Sequence, residues 1–418
     1  MRLSRGLVAQ ASAALASLLE LARPADEALS RYFRAHPALG QHDRAFVAES
    51  SFAVLRRLRS LQAAAGSEEP RALLIAALVR VQGLSGRALE PALLDGEHAL
   101  VAKLKAFRHD ELPPAVRVDL PDWLWQRLVE EQGEDEAARA AQGFLNPAPL
   151  DLRVNLARAG REEALAALVR DGIAGEATRY SPAGIRLADK PAINRSALFR
   201  GGLIEVQDEG SQLLAWLVAP RRGEMVADYC AGAGGKTLAL AMLMRGAGRV
   251  YAMDVSAKRL AALAPRAARA GITNVSPIAI SGETDARVKR LAGKIDRVLV
   301  DAPCSGFGTL RRNPDLKWRH APAAVTELAH KQARILVSAA RLVKPGGRLV
   351  YATCSILREE NEAIAEAFLG AQPQFAPLSC AELLAAQRIA LDTGPNLRLW
   401  PHRHGTDGFF AAAFERKA

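Results

Sequence analysis

The sequence predicts an α/β protein: a doubly wound, mainly parallel sheet, preceded by an all-α domain and a small α+β segment. Three observations predict it. Beyond residue 211, short apolar runs alternate with helical patterns, as in a parallel sheet covered on both faces. Residues 1–109 carry helical periodicity with no strand-like run. Between these regions, short alternating segments are separated by turn residues. A chain of 418 residues, 50% hydrophobic and 24% charged, is long and apolar enough for two or three cored domains. The expected domains are 1–112, 113–212 and 213–418.

Residues 1–21 contain arginine and few acids, which a transit peptide would share. Ser4, Leu7, Leu15, Leu18 and Leu19 fit better as the first amphipathic helix of a domain. Residues 44–56 place Phe46, Val47, Phe52, Val54 and Leu55 at helical spacing. The most apolar stretch, 73–81, is broken by Arg80 and falls short of the roughly 18 residues that cross a bilayer, so no membrane partner is expected. Three prolines make 111–121 a linker, 123–144 reads as helix, and Asn146-Pro-Ala-Pro149 is another break. Residues 150–155 alternate like a strand, and 161–171 form a helix ending at Gly172. Short strands are expected near 178–180, 185–187 and 203–206.

In the third region, strands are expected at 224–230, 249–254, 274–280, 297–301 and 347–353. Helices are expected at 236–245, 256–270 with an interruption at Pro265, 323–343 and 358–369. A hairpin over 397–414 ends the domain.

Lys and Arg total 56 against 45 acids, a net charge of +11, which favours a polyanionic partner such as nucleic acid. The four cysteines (Cys230, Cys304, Cys354, Cys380) form no CxxC pair, which argues against a structural zinc or any other metal site. They are too few for a disulfide framework, and a reducing cytoplasm suits them. Each is therefore read singly.

Asp228-Tyr-Cys-Ala-Gly-Ala-Gly-Gly-Lys-Thr237 joins the first strand of the third region to its helix. Its three glycines permit close backbone approach to a ligand. A phosphate-binding GxxxxGK[ST] loop would need Gly at Cys230, and a dinucleotide GxGxxG would need Gly at Thr237. Asp254 ends the next strand, 20 residues after Gly234, about where an acid binds ribose hydroxyls in doubly wound folds. A ligand with a ribose and no pyrophosphate fits, and S-adenosylmethionine is one. The competing role for Asp254, a helix N-cap before Ser256, is the weaker reading.

Asp301-Ala-Pro-Cys-Ser-Gly-Phe-Gly308 ends the fourth strand and Tyr351-Ala-Thr-Cys-Ser355 the fifth. Strands four and five are neighbours in the common doubly wound orders, and ligands sit outside their carboxyl ends. A lone cysteine there is ordinarily a small buried hydrophobe. Two in catalytic-edge loops beside Asp301 read as functional, whereas Cys380 reads as core and Cys230 as packing within its loop. Two convergent thiols suit methylation of cytosine carbon 5. A thiolate that adds to carbon 6 makes carbon 5 nucleophilic, a carboxyl near N3 stabilises the adduct, and a base then removes the carbon 5 proton. Spacing alone leaves the roles of the two thiols open.

At these residues the chain resembles the RsmB/Sun/NSUN family of RNA cytosine-5 methyltransferases. The cofactor loop and both cysteine motifs carry the likeness, with Arg311-Arg-Asn-Pro-Asp-Leu-Lys-Trp318, Lys344-Pro-Gly-Gly347 and His404-Gly-Thr-Asp-Gly-Phe-Phe410. It covers most of 205–415. The resemblance implies a class I methyltransferase (Rossmann-like) fold, with Cys354 as nucleophile and Cys304 releasing the product. It gives Asp301 contacts to the base and to the cofactor amine. It places S-adenosylmethionine against Cys230, Ala231, Gly232, Ala233, Gly234, Gly235, Lys236 and Asp254. The family's loop proline is missing here, and Ser281-Gly-Glu-Thr284 stands where the family has an aspartate near the adenine, so Ser281 or Glu283 is the expected substitute. Residues 1–112, mainly 44–59, resemble a NusB-like RNA-binding domain. The resemblance makes RNA the partner, small-subunit (16S) ribosomal RNA above others, and a monomer the expected state. The basic residues Arg311, Arg312, Lys317 and Arg319, with Trp318 among them, are expected to contact the RNA backbone. Two rivals stand beside this reading. A DNA cytosine methyltransferase would usually carry a target-recognition region after Ser355. A decayed RNA-binding or assembly factor would not need Cys304, Cys354, Asp301 and Lys236.

Overall fold

Ser4 starts the first helix: its hydroxyl accepts the Leu7 amide, and Arg5–Leu19 buries Leu7, Val8, Ala11, Ala14, Leu15 and Leu18 on one face. This stripe packs with Val47, Val54 and Leu55 of helix Gln41–Arg56 and with Leu73 to Leu78 of helix Pro70–Arg80. Residues 73–78 of that apolar run thus lie within a helical core, while Val81 is exposed. In the computed structural model, which describes residues 3–418, the chain divides into two compact units. One contains 1–147 with 309–322, and the other contains 148–308 with 323–418. Among the described residues no helix is long and apolar enough to cross a membrane.

The stretch 111–121, expected as a linker, contains a short helix, Pro114–Arg117. Its prolines stand where the ring does least harm, Pro114 in the first turn and Pro121 as N-cap of helix Asp122–Gln132. A missing N–H costs nothing there, because first-turn amides have no intrahelical partner.

The second unit holds two sheets. Strands β1 (Leu150–Val154), β2 (Gly175–Ala177), β3 (Gly184–Leu187) and β4 (Ile204–Val206) form an antiparallel sheet in the order β2-β3-β1-β4. It packs Leu152, Val154, Ile185 and Ile204 against Ala164 and Leu168 of helix Arg161–Arg170. The strand expected at 178–180 lies instead at 175–177. Tyr180 and Ser181 turn away because the Glu209 carboxyl accepts both of their amides, at 2.5 and 2.8 Å.

The larger sheet contains β5 (Met225–Asp228), β6 (Arg249–Asp254), β7 (Val275–Ala279), β8 (Ile295–Asp301), β9 (Val343–Thr353), β10 (Phe375–Leu378), β11 (Leu397–Leu399) and β12 (Phe409–Arg416). Its order is β10-β12-β9-β8-β5-β6-β7, with β11 paired to β12. Strands β5 to β9 run parallel, while β12 is antiparallel to β9. The doubly wound sheet is therefore present, and β8 and β9 are direct neighbours with Val300 opposite Tyr351 and Asp301 opposite Ala352. Strand order reverses at β5, so the turns after β5, β6, β8 and β9 crowd one edge. The helix expected over 256–270 is two, Ala257–Ala261 and Leu263–Ala270, with Pro265 in the first turn of the second.

Candidate active site

After β5 the chain makes a tight turn into helix Gly235–Leu243. Gly234 caps this helix at φ +85, and a Cβ there would lie 2.2 Å from Leu263 Cδ1. Only glycine meets both conditions. The loop is tied to β6, since Ala231 N–H donates to Met253 O at 2.9 Å and Gly232 N–H to Asp254 Oδ2 at 2.8 Å. Asp254 is 3% exposed and also accepts from Ser256 N–H and the Arg259 guanidinium. Ser256, not Asp254, is the N-cap of the next helix. Arg259 carries no signal in the sequence pattern, though three residues after Ser256 it lies one turn into that helix.

Asp228, the last residue of β5, is buried. Its Oδ2 accepts from Thr237 Oγ1 at 2.7 Å and its Oδ1 has no partner. Burial pushes its carboxyl up to about 7, against the opposing hydrogen bond from Thr237. Burial likewise raises the Cys230 thiol, helped by the Asp228 charge, so Cys230 is poorly nucleophilic. Lys236 donates to Asp301 Oδ2 at 2.7 Å. Burial works to lower the Lys236 pKa, but the Asp301 charge and hydrogen bond outweigh it and leave the ammonium above its usual value.

The two cysteine loops meet. Cys304 Sγ and Cys354 Sγ lie 3.4 Å apart, both partly exposed. Gly308 N–H donates to Cys354 O at 2.8 Å, and Gly408 N–H to Gly308 O at 2.7 Å. The backbones cross so closely that a Cβ on Gly308 would sit 2.0 Å from Gly408 O. The Cys304 thiol is raised well above its usual value, first by its hydrogen bond with Cys354 and then by burial. One thiol of the pair thus keeps its proton. Cys380 is fully buried and burial pushes it up to about 11, in keeping with a core role.

Ser281 is exposed, yet its polar groups are already engaged. Its N–H and its hydroxyl both donate to Asp285 Oδ2, at 2.8 and 3.1 Å. Glu283 contributes its carbonyl to Ser338 Oγ at 2.7 Å. The Asp285 carboxyl thus lies beside Ser281, just past the end of β7.

In the basic segment after Gly308, burial corrects the sequence reading for Lys317 and Arg311. Residues 309–322 belong to the helical unit. Lys317 is 3% exposed and donates to Arg56 O at 2.9 Å, and Arg311 is 6% exposed with its carbonyl accepting from Arg56 Nη2 at 3.0 Å. Trp318 Nε1 donates to Leu55 O at 2.7 Å. Burial lowers Lys317 to about 7, with Asp119 opposing. Arg319 pairs with Asp315 at 3.4 Å, and Arg312 is half-buried. Lys317 is thus fastened to the end of helix Gln41–Arg56, whose last carbonyls lack intrahelical partners, and Arg311 is buried beside it.

Glu360 is a further residue of the site that the sequence motifs do not single out. Both cysteines are followed by serine, and Glu359-Glu360-Asn361 comes soon after the second; that repetition was the available signal. In the structure Ser305 and Ser355 both bond to Glu360.

Residues 215–415 match the family described as 16S rRNA methyltransferase RsmB/F, and 120–194 match an RsmF/B-like ferredoxin-like domain. The Ribosomal RNA small subunit methyltransferase B of Sodalis glossinidius is 32% identical over 402 residues, covering 90% of this chain and 90% of the relative. The structure of a methyltransferase homolog protein from Pyrococcus horikoshii is 29% identical with a TM-score of 0.63, covering 75% of this chain and all of that one. NSun6 from Pyrococcus horikoshii, solved with SFG, shares the fold at 19% identity and a TM-score of 0.63, covering 71% of this chain and 98% of that one.

Proposed function

Since the chain belongs to the RsmB/F family of 16S rRNA methyltransferases, we propose that it methylates carbon 5 of a cytosine in RNA. Small-subunit ribosomal RNA is the proposed substrate. The observation that carries the reading is the pair of thiols 3.4 Å apart at the ends of adjacent parallel strands. Methylation at a ring nitrogen or a ribose hydroxyl needs no thiol. Methylation at carbon 5 needs a nucleophile to add at carbon 6 and a base to take the carbon 5 proton, and two thiols can supply both.

S-adenosylmethionine is the proposed methyl donor; SFG, held by NSun6, is an analogue of it. The residues present fit it. The glycine loop brings backbone close to a ligand, Asp254 stands at the carboxyl end of β6, and Asp228 Oδ1 is a buried acceptor without a partner. Residues 230–236 and Asp254 would hold it, and when bound it supplies an electrophilic methyl group.

The chain's own groups then divide the work. Cys354 adds to carbon 6 as a thiolate while Cys304 keeps its proton, held there by the shared hydrogen bond. Asp301, steadied by Lys236, faces the base as hydrogen-bond partner for N3. Once Cys354 is a thioether it no longer accepts strongly from Cys304, so the main cause of the raised Cys304 pKa is gone. Cys304 then gives its own proton up to solvent and, as a thiolate, takes the carbon 5 proton, while the carbon 5–carbon 6 double bond re-forms and Cys354 leaves as a thiolate.

Separate cysteine variants test this reading. Cys304→Ala should accumulate a cofactor-dependent protein–RNA complex that survives denaturing gels, whereas Cys354→Ala should form none. Trapping by Cys354→Ala would reverse the roles, and activity in both variants without any complex would end thiol catalysis. Bisulfite sequencing of RNA from a deletion strain identifies the cytosine.

A further inference from the structure

Glu360 is fully buried between the two cysteine loops. One oxygen accepts from Ser305 N–H at 2.8 Å and from Gln332 Nε2 at 2.9 Å. The other accepts from the Ser305 hydroxyl at 2.5 Å and from the Ser355 hydroxyl. Ser305 directly follows Cys304 and Ser355 directly follows Cys354, and the two hydroxyls are 3.2 Å apart. Surrounding groups hold the glutamate itself. Tyr351 OH donates to its carbonyl at 2.5 Å, and Gln332 also donates to Pro303 O at 3.0 Å, just ahead of Cys304. A single carboxyl group is therefore the meeting point of both loops.

A core of this kind is not a cheap way to stabilise a sheet. Removing a carboxyl from water is costly, and apolar packing of equal volume is often as stable or more so. What the arrangement provides is geometry, because four hydrogen bonds to one rigid group fix its neighbours far better than apolar contact. We propose that Glu360 is a positioning residue, which sets the separation of Cys304 and Cys354 by holding Ser305 and Ser355 in register. The proposal rests on the two-thiol reading given above for its catalytic meaning. Its geometric content stands apart, since it concerns the free protein. The Glu360 carboxyl bonds to the two serines and Gln332 rather than to either thiol, so it acts on the cysteines through their neighbours.

The test uses the full chain and reads thiol proximity directly. Diamide joins two adjacent thiols as a disulfide, taking both hydrogens and itself becoming the hydrazine. Mass spectrometry under non-reducing conditions follows formation of the Cys304–Cys354 bond. Glu360→Ala should slow it by about tenfold or more, given how steeply rates fall with ångström-scale misplacement. Glu360→Gln keeps an acceptor for the Ser305 amide and should retain most of the rate. With RNA, Glu360→Ala should lower kcat per folded molecule, with the folded fraction read by thermal melting, while leaving KM for RNA near the original. If Glu360→Ala does not fold, the double variant Ser305→Ala with Ser355→Ala decides, because it removes the hydroxyl contacts and adds no bulk. Disulfide formation at the original rate in folded Glu360→Ala, or in the double-serine protein, overturns the proposal. Slowed disulfide formation in a protein whose unaltered form never methylates RNA supports the positioning role and refutes the cytosine reading instead.

Discussion

Residues 301–308 and 309–322 follow one another without a break, yet their polar groups are used in opposite ways. In the first stretch and the turns sharing its sheet edge, chemical capacity is held in reserve. Two thiols share a hydrogen bond, Asp301 keeps Lys236 charged, and Asp228 Oδ1 has no partner. In the second stretch the donors close on helix-end carbonyls: Lys317 on Arg56 O and Trp318 on Leu55 O. A Lys that caps a helix end has spent its charge on the fold, whereas a thiol beside another thiol can still change its proton and its bonds.

The contrast is tested most severely at the proposed nucleophile. Cys354→Ala should reduce methyl transfer by about 10⁴-fold or more, as removal of a nucleophile does, with the melting temperature little changed. A tritiated-methyl assay alongside thermal melting reads both. Comparable loss of transfer from Lys317→Met in folded protein would erase the contrast.

Next in size is the end of the same edge proposed to hold the cofactor. Asp254→Ala removes the acceptor for Gly232 N–H and for Arg259. Losing a charged hydrogen bond costs about 1.5–3 kcal/mol, or roughly 10- to 150-fold in S-adenosylmethionine affinity. Calorimetric titration showing unaltered binding would reduce Asp254 to a tie between loop and helix.

Gly308→Ala probes the crossing of backbones that joins the loops. Its Cβ would meet Gly408 O at 2.0 Å and Cys354 O at 2.8 Å, and neither is a flexible side-chain tip. Overpacking of this kind costs about 1–3 kcal/mol, and the thiols should move apart with it. Chemical denaturation with the diamide assay separates the two consequences.

The smallest effect belongs to Lys317. Its folded pKa of about 7 lies below the unfolded value of 10.5. Between those values the unfolded chain binds more protons, so stability should rise with pH across that window, by at most about 1.4 kcal/mol per pH unit. Below the window the cost of burying the charge is present in full. Lys317→Met should flatten the slope in urea melts compared at about pH 7.5 and about pH 9.5. The same variant should leave the salt dependence of RNA binding unchanged, since a buried ammonium releases no phosphate counterion. A reduced salt slope would restore Lys317 to the RNA contacts.

The sequence alone determined the parts of this protein that depend on chain-local pattern. Apolar periodicity yields the strand–helix alternation, and the glycine loop with Asp254 one strand later is the pattern behind the proposed ribose-bearing ligand. Cys304 and Cys354 at the ends of consecutive strands were legible as a pair because parallel α/β topology leaves few strand orders. The family resemblance rested on those same residues, and the RsmB/F match agrees with it. Tertiary structure decided what depends on who stands opposite whom. It placed Glu360 between two serines 50 residues apart and turned Ser281 towards Asp285. It also buried Lys317 in a helical core assembled from the other end of the chain. The physical reason is the range of the interactions. Helix and strand signals are written within a few residues, but the fate of a buried polar group is set by partners that only the folded chain brings within hydrogen-bond reach.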